Sequence, residues 1–393
     1  VEQVLAALQP DTALVSLMWV NNETGGINPV EALAPLLRAR GVLLHVDAVQ
    51  AAGKLPIDLA QTPIDLLSVS AHKLYGPKGV GALFVRKRPR ARLAPQIHGG
   101  GHEQGMRSGT LATHQLVGFG AACTLAMAEM SAEAERVRAL RNRLASALLA
   151  LPEVFRNGPA EARAPGILNL SFAGLDGEAL RAALPQLMVS SGSACSSATR
   201  EPSYVLRALG RDDELAGASL RLSLGRYSTA TEVDAAAQQI STAVRWLRGI
   251  AQPVAGQRLP APLLDTNVFD YPAPVWQRFA APVHAGGFAA DAPLLVAEAG
   301  TVAASARLRL QAQRRAGGGF QVRFAAFGCP VTIAVGEWLA AHLEAEKRAE
   351  WPRIDVAMIR QALEIPDDRA HCAFMGEDAV RALTQQVLQQ WSE

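Results

Sequence analysis

Long apolar stretches and an excess of charge are both missing from this sequence. No apolar run approaches the roughly 18 residues that a membrane-spanning helix needs, so no membrane segment is predicted. The 38 basic residues nearly balance the 36 acidic ones, and the net charge is +2. Proteins that bind nucleic acid concentrate basic residues on one face, so no nucleic-acid partner is predicted. The densest basic stretch, 86–92, has no interleaved aromatic residue and is interpreted as a solvated loop.

Cysteine is also scarce, since the 393 residues include only Cys123, Cys195, Cys329 and Cys372. Four scattered cysteines are too few for a disulfide framework, and free thiols are typical of the reducing cytoplasm. No charged segment followed by an apolar core stands at the start, so a cytoplasmic protein is expected. Hydrophobic residues make up 49% of the chain, which is enough for two or three cores.

The first 120 residues alternate short β-rich runs with helical segments. An amphipathic helix is predicted over 29–40, and apolar strands are predicted at 14–20, 42–47, 66–70 and 80–85. This alternation indicates an α/β fold with a parallel or mixed sheet. The sequence therefore predicts an α/β domain over residues 1–120.

The rest of the chain divides at a segment rich in proline. We predict a small α+β domain over 121–250, a linker over 251–262 and a further α+β domain over 263–393. In the last domain, 308–311 and 320–324 are predicted to form a hairpin. Helices are predicted to follow at 332–345, 355–363 and 376–390.

Polar residues follow three of the predicted strands. Asn22 comes after the first strand, Asp47 ends the second and Lys73 lies just past the third. The carboxyl ends of parallel strands form the crevice where α/β proteins place their sites. A lysine there can form a Schiff base with an aldehyde cofactor, and an aspartate can pair with a pyridinium nitrogen. Taken alone, Lys73 is better explained as a surface lysine, and Asp47 is equally well a helix N-cap.

Five sequence blocks resemble the cysteine desulfurases of the aminotransferase class-V, fold-type-I pyridoxal-phosphate family. They span residues 1 to about 250, in the family's order and spacing. The resemblance implies a fold-type-I large domain, pyridoxal 5'-phosphate as cofactor and a homodimer. The blocks are NNE at 21–23, HVDAVQ at 45–50, SAHK at 70–73, HGGGHEQGMRSGT at 98–110 and SSGSACSS at 190–197.

The resemblance implies a role for each matched residue around the cofactor. Lys73 would hold pyridoxal phosphate as a Schiff base, and Asp47 would pair with its ring nitrogen. Asn22 and Gln50 would contact its phenolic oxygen. Ser70 and His72 would bind the phosphate. Thr110 would reach the phosphate of the other subunit in a dimer.

The resemblance also implies which residues handle the substrate. Arg221 would clamp the substrate carboxylate through a two-pronged pair, although without the resemblance it is better explained as a surface strand residue. Asn22 would contact the substrate as well. Cys195 would be the nucleophile, in a run of small residues that predicts a loop, and only its thiolate would attack. The apolar surroundings of Cys123 favour a packing role instead.

The family's front end has no counterpart in this sequence. Family members begin before the position of Val1, with a phosphate-cradling loop and a histidine that stacks on the cofactor ring. None of His45, His98, His102 and His114 lies in the context of that histidine. The chain lacks an initiator Met and opens on a helical segment over 1–8, so we interpret it as a fragment of a complete enzyme. The alternative is a natural short protein with impaired chemistry.

Cysteine and histidine recur in the last domain. Cys329 precedes a predicted helix, where the helix dipole favours a thiolate. With His371 and Cys372 it would supply two thiolates and an imidazole for zinc or an iron–sulfur cluster. The separation of Cys329 and Cys372 is far outside zinc-finger spacing, so unrelated cysteines are the alternative.

The last domain resembles a U-type iron–sulfur cluster scaffold, in RFAAFGC at 323–329 and HCAFMGEDA at 371–379. This resemblance implies a metal or cluster in the domain, or at Cys195, and iron–sulfur assembly proteins as partners. Two departures stand out: 300–305 lacks the family's first ligand cysteine, and the chaperone-recognition stretch is altered at 363–369. These departures weaken the expectation of cluster assembly. The remaining expected role of the domain is to accept sulfur at Cys329 or Cys372.

The combined resemblance predicts a homodimeric cysteine desulfurase for iron–sulfur cluster assembly. It would convert L-cysteine to L-alanine and a persulfide on Cys195, beside a tethered acceptor domain. One alternative is a non-catalytic scaffold or regulatory protein of the same assembly. Another is a lyase of the selenocysteine type, against which the Cys195 loop argues because such a lyase needs no enzyme thiol.

Overall fold

The structure is a computed structural model and describes residues 1–88, 91–191, 201–255, 260–289, 294–316, 318–346, 351 and 353–390. Within those ranges, no helix is long and apolar enough to cross a membrane. Contacts between residues divide the chain into two compact units. The first comprises Val1–Arg143, Gly158–Asn169 and Ser223–Thr229, and the second comprises Leu144–Asn157, Leu170–Leu222 and Ala230–Glu393.

A four-stranded sheet forms the centre of the first unit. Its strands, in spatial order, are β1 Leu14–Met18, β2 Leu43–Asp47, β3 Leu66–Ser70 and β4 Gly81–Val85. β1, β2 and β3 are parallel, whereas β4 is antiparallel to β3. A Cβ atom at Gly81 would lie 2.5 Å from the Val69 carbonyl oxygen, so glycine is needed where β4 approaches β3. The predicted α/β sheet is confirmed.

Three helices accompany this sheet: α1 Glu2–Ala7, α2 Val30–Ala39 and α3 Thr113–Leu149. α2 buries residues at the i, i+3, i+4 and i+7 spacing of an amphipathic helix. These are Val30, Leu33, Ala34 and Leu37, and they share one core with residues of β2. The apolar face of α2 therefore packs on the sheet, as the sequence pattern predicts.

A second sheet has three strands in the order β5 Val154–Arg156, β6 Ile167–Phe172 and β7 Ser219–Ser223. All six residues of β6 are buried, which is expected of a central strand covered on both faces. Four helices belong to the same part of the chain: α4 Gly177–Ala182, α5 Tyr204–Ala208, α6 Asp213–Gly217 and α7 Ala230–Ala251. The predicted α+β character of this region is confirmed.

The third sheet is antiparallel and has the order β10-β9-β8. Its strands are β8 Leu295–Thr301, β9 Ala306–Arg314 and β10 Phe320–Phe327. The predicted hairpin is therefore present and longer than expected, while β8 was not foreseen. The helices of this region are α8 Ala273–Ala280, α9 Pro330–Ala345, α10 Val356–Leu363 and α11 Ala370–Gln390.

The start of α11 corrects one prediction. The sequence predicts the last helix from Gly376, but α11 begins at Ala370 and includes the His371–Cys372 pair in its first turn. The cause is packing, because Cys372, Met375 and Ala379 are buried at helical spacing on one face.

The compact units do not coincide with the predicted segments 1–120, 121–250, 251–262 and 263–393. The second unit combines residues of the small domain with the whole last domain. Trp246 of α7 contacts Phe279 of α8 edge to face, with 5.5 Å between ring centroids. Large buried aromatic side chains stabilise such a junction and join the two parts into one unit.

Candidate functional site

The predicted cofactor residues of the first unit lie at the carboxyl ends of the parallel strands. Met18 at the end of β1 is level with Asp47, and Asp47 is level with Ser68 near the end of β3. Ser70 ends β3, and a 3₁₀ turn at Ala71–Leu74 carries His72 and Lys73. The strand register therefore places Asp47 and the Lys73 turn at one edge of the sheet.

The turn that carries Lys73 is held in place through Tyr75, the residue that ends it. Tyr75 ends it with a φ of +66°, a left-handed conformation that is uncommon for a residue with a side chain. The Tyr75 hydroxyl accepts a 2.7 Å hydrogen bond from the Arg226 backbone N–H and donates to Glu133. The Arg226 guanidinium pairs with Glu133 at 2.8 Å and covers the Tyr75 ring. These contacts fix the loop while the Lys73 side chain stays partly exposed.

The two predicted phosphate-binding side chains of this turn touch each other. Ser70 Oγ lies 2.8 Å from His72 Nδ1, and the His72 side chain is exposed. A hydroxyl and an imidazole side by side provide donors for a phosphate oxygen. The structure thus brings Ser70 and His72 together next to Lys73.

The carboxylate and amides of the predicted site lie in short turns after the strands. Asp47 Oδ1 accepts a 2.9 Å hydrogen bond from the Val49 N–H, which forms a turn rather than the helix N-cap that was the alternative role. Gln50 Oε1 accepts a 3.2 Å hydrogen bond from Lys54 Nζ. Asn22 is partly buried in the turn after β1. Each of the three is thus present at the sheet edge or in the turn that follows it.

Thr110 and Arg221 belong to other segments of the chain. Thr110 is exposed in the loop before α3. Arg221 belongs to the second unit, where its backbone pairs with Ser190 in an antiparallel bridge. Cys195 lies outside the described residues, so its role as nucleophile stays a prediction. Cys123 is partly buried against a small apolar cluster, in agreement with a packing role.

The chemistry of these side chains fits pyridoxal phosphate. Lys73 offers an amine for the aldehyde, Asp47 a carboxylate for the pyridinium nitrogen and Gln50 an amide for the phenolic oxygen. Ser70 and His72 offer donors for the phosphate. These groups come from turns that follow neighbouring parallel strands, which is where this fold class binds ligands.

A second group of chemically active side chains lies in the second unit. Cys329 is the N-cap of α9, and Cys372 lies in the first turn of α11. Their sulfurs are 3.9 Å apart, and the Thr332 hydroxyl oxygen is 3.4 Å from the Cys372 sulfur. His371 Nε2 lies 3.4 Å from the same sulfur. We call Cys329 and Cys372 the thiol pair.

Charged groups surround the thiol pair. Hydrogen bonding to Cys372 lowers the pKa of the Cys329 thiol, against the opposing effect of burial, and Arg369 also lowers it. The same hydrogen bond, together with burial, raises the pKa of the Cys372 thiol. Arg369 donates to the Glu178 carboxylate of α4, which also accepts the Tyr271 hydroxyl. The pair is thus unequal, with Cys329 the more acidic thiol.

The predicted metal site at Cys329, His371 and Cys372 is not confirmed. Across the residues that the structure describes, no group of three or more His, Cys, Asp or Glu side chains has the geometry to hold a metal ion. Zinc or an iron–sulfur cluster at these three residues therefore stays a prediction.

Two known protein families match most of the chain. Residues 1–236 match the model of the aminotransferase class-V family. This chain belongs to the aminotransferase class-V family. Residues 270–390 match the model of the NifU-like N terminal domain, which agrees with the resemblance of the last domain to an iron–sulfur scaffold.

Among curated proteins, this class-V chain is similar to cysteine desulfurases called IscS. It is 58% identical over 246 residues to that of Methylococcus capsulatus and 59% identical over 248 residues to that of Stutzerimonas stutzeri. Each match covers 63% of this chain and 61% of the relative. The chain thus spans about three fifths of the length of these relatives.

Solved structures show the same relationship for the fold. A NifS-like protein is 38% identical with a TM-score of 0.55, over 61% of this class-V chain and 63% of that protein. The NifS-like protein from Rickettsia africae is 27% identical with a TM-score of 0.57, over 62% of this chain and 65% of that one. These matches confirm the predicted fold class.

Lys54 is a site residue of this class-V chain that the sequence analysis missed. Burial, together with the nearby positive charge of Lys73, lowers the pKa of Lys54 to about 8. The turn that carries it packs against the lysine loop, since a Cβ atom at Gly53 would lie 3.2 Å from the Leu74 Cβ. Its position four residues after Gln50 was the available signal, but burial depends on the folded structure.

We expect Lys54→Met to remove a pH-dependent part of the stability of this class-V protein. The folded protein binds the Lys54 proton more weakly than the unfolded chain does, so its stability rises between pH 8 and 10.5. The ammonium ion therefore destabilises the folded state below pH 8 by up to about 3 kcal/mol. Urea unfolding of wild type and Lys54→Met from pH 7 to pH 10.5 should show this difference shrinking as pH rises. The exposed Lys78→Met is the control, and an equal pH trend in both variants would contradict the prediction.

Proposed function

We propose that this chain is a pyridoxal-phosphate-dependent cysteine desulfurase that supplies sulfur for iron–sulfur cluster assembly. The grouping of Lys73, Asp47 and the Ser70–His72 pair at one sheet edge is the observation that carries the proposal. The IscS relatives, named as cysteine desulfurases, support it with 58–59% identity. The NifU-like match at 270–390 supports the connection with iron–sulfur assembly.

Each residue of the sheet edge has a distinct task in this proposal. Lys73 would bind the cofactor covalently, and Ser70 with His72 would hold its phosphate. Asp47 would keep the ring nitrogen protonated, and Gln50, oriented by Lys54, would contact the phenolic oxygen. When bound, pyridoxal phosphate supplies an electron sink for bond breaking at the substrate.

The sulfur passes from the substrate to a thiol of the chain. Arg221 would bind the carboxylate of L-cysteine, and Asn22 would help to orient it. The Cys195 thiolate would take the substrate sulfur, so that a persulfide forms on Cys195 and L-alanine leaves. No external oxidant or reductant is needed, because the sulfur transferred to Cys195 is balanced by the hydrogen that alanine gains.

Two further parts of the proposal concern assembly and location. Thr110 is exposed, and we expect it to reach the phosphate bound by a second subunit in a homodimer. A cytoplasmic location stays a prediction from cysteine usage. Iron–sulfur assembly proteins, or the thiol pair of the chain itself, would accept the sulfur.

Cys195→Ser tests the proposed reaction directly. We expect the wild-type chain, supplied with pyridoxal phosphate and L-cysteine, to form alanine and a persulfide on Cys195. Cys195→Ser should form alanine only at the background rate, because the proposal assigns the attack on the substrate sulfur to the Cys195 thiolate. Alanine is quantified by amino-acid analysis and the persulfide by mass spectrometry.

Cys123→Ser is the matched control and should behave like wild type, since Cys123 packs against an apolar cluster. Alanine release from selenocysteine that persists in Cys195→Ser would favour the lyase alternative. A folded wild-type chain that forms no alanine at all would favour the non-catalytic scaffold.

A further inference from the structure

The thiol pair of the second unit is close enough for direct sulfur chemistry. Cys329 Sγ and Cys372 Sγ lie 3.9 Å apart, and both cysteines are free. A disulfide requires about 2.05 Å between sulfurs, so a movement of about 2 Å would bring the two atoms to bonding distance. The side chains are 5% and 0% exposed, so the pair is enclosed by protein.

The local backbone holds the two sulfurs in this arrangement. Gly328 has a φ of +148°, and a Cβ atom there would lie 2.7 Å from the Thr332 hydroxyl oxygen. Glycine therefore allows Thr332, one turn into α9, to approach the chain before Cys329. The Thr332 side chain is fully buried and lies 3.8 Å from the Cys329 sulfur and 3.4 Å from the Cys372 sulfur.

We propose that Cys329 and Cys372 form a dithiol that takes the outer sulfur of a persulfide and releases it as hydrogen sulfide. This inference rests on the proposed function for the natural persulfide donor, which would be the desulfurase persulfide. The dithiol would turn bound sulfane sulfur into free sulfide, the form in which sulfur enters iron–sulfur clusters.

The reaction balances in two exchange steps. Cys329 attacks the outer sulfur of a persulfide R–S–SH, which releases R–SH and leaves a persulfide on Cys329. Cys372 then attacks the inner sulfur of that persulfide, so that a Cys329–Cys372 disulfide forms and hydrogen sulfide leaves with the Cys372 proton. The sulfane sulfur is reduced to sulfide, and the two thiols are oxidised to the disulfide. A small thiol restores the pair by ordinary thiol–disulfide exchange.

The surroundings assign the order of the two thiols and the route of access. Cys329 attacks first because its side chain keeps slight exposure, whereas Cys372 is fully buried behind it. Arg369, Glu178 and Tyr271 lie close enough to Cys329 to interact with it electrostatically. The Arg369–Glu178 ion pair lies beside Cys329, and we expect an incoming donor to approach past it.

The test uses the full reduced chain and glutathione persulfide, without pyridoxal phosphate or L-cysteine. We expect about one hydrogen sulfide per chain above the reagent blank, because one dithiol supplies two electrons. Peptide mapping should find a disulfide between Cys329 and Cys372. Cys372→Ser should stop at a persulfide on Cys329 without releasing sulfide, and Cys329→Ser should do neither.

Control variants separate this chemistry from general thiol reactivity. Cys123→Ser should release as much sulfide as wild type. Alanine versions of the two variants, with circular dichroism, show whether a serine hydroxyl has disturbed the buried site. Glu178→Gln should speed the first step by about threefold, because a neutral amide pairs less strongly with Arg369. An unchanged rate in Glu178→Gln would contradict the access route.

Equal sulfide release from wild type and from the double variant Cys329→Ser/Cys372→Ser would overturn the inference. Sulfide release without a Cys329–Cys372 disulfide would overturn it as well. Because the persulfide is added from outside, these outcomes do not depend on desulfurase activity. Conversely, a chain that makes alanine but shows no dithiol chemistry would retain the proposed function and lose only this inference.

Discussion

Lys73→Ala is expected to abolish covalent binding of pyridoxal phosphate. The wild-type chain, incubated with the cofactor and passed through a desalting column, should keep it with an absorption different from that of the free aldehyde. Borohydride treatment should then fix the cofactor on the peptide that contains Lys73. The variant should retain no fixed cofactor and form no alanine from L-cysteine.

The size of this effect follows from the position of Lys73. Its loop is held by Tyr75 and by the ion pair of Arg226 with Glu133, so the turn that carries Lys73 stays at the sheet edge where Asp47 ends β2. Alanine removes the amine that would bond to the aldehyde and leaves these supports in place. The fold should therefore persist while covalent binding is lost entirely.

Lys78→Ala is the matched control, since Lys78 is exposed five residues further along the same loop. It should bind the cofactor as wild type does. Fixation in Lys73→Ala at Lys54, whose pKa is about 8, would show that the assignment of the binding lysine is wrong. A folded wild-type chain that fixes no cofactor would refute the proposed function of this chain.

Gly177→Ala is expected to lower the free energy of unfolding of the second unit by about 3 kcal/mol. A Cβ atom at Gly177 would lie 2.0 Å from the Gly217 carbonyl oxygen, so the start of α4 would have to move away from α6. Urea unfolding followed by tryptophan fluorescence reports on this unit, which contains Trp246, Trp276, Trp338 and Trp351.

Gly217→Ala supplies the control from the other side of the same contact. A Cβ atom at Gly217 would meet nothing within 4 Å. We expect this variant to be as stable as wild type or more stable by up to about 1 kcal/mol, since alanine favours a helix over glycine. Equal losses in the two variants would show that the close approach at Gly177 is not the cause.

The Gly177 contact also bears on the thiol pair. Glu178, the next residue of α4, accepts hydrogen bonds from Arg369 and Tyr271 beside Cys329. α4, which packs closely against α6, therefore also carries the carboxylate that lies beside Cys329. A change in the packing of α4 against α6 is thus expected to move Glu178 and its contacts beside Cys329.

Much of the catalytic sheet could be predicted from local sequence alone. Apolar runs of five to seven residues marked β1, β2, β3 and β4, and the spacing of apolar residues marked α2, because these patterns depend on neighbours in the chain. The polar residues that follow the strands, Lys73 and Asp47 among them, were predictable for the same reason. A parallel sheet brings its strand ends together without any further information.

The tertiary structure alone decided which distant residues meet. Glu178 and Arg369 are 191 positions apart, and no periodicity links them. The burial that shifts the pKa of Lys54 and the 3.9 Å approach of Cys329 to Cys372 also arise only when separate elements pack. Sequence patterns report a residue's own helix or strand, whereas contacts between elements depend on the shapes of all the side chains that pack between them. For this protein, the sequence predicted the candidate cofactor residues and the strands that carry them, whereas the packing of α4, α9 and α11 determined the thiol pair and its charged neighbours.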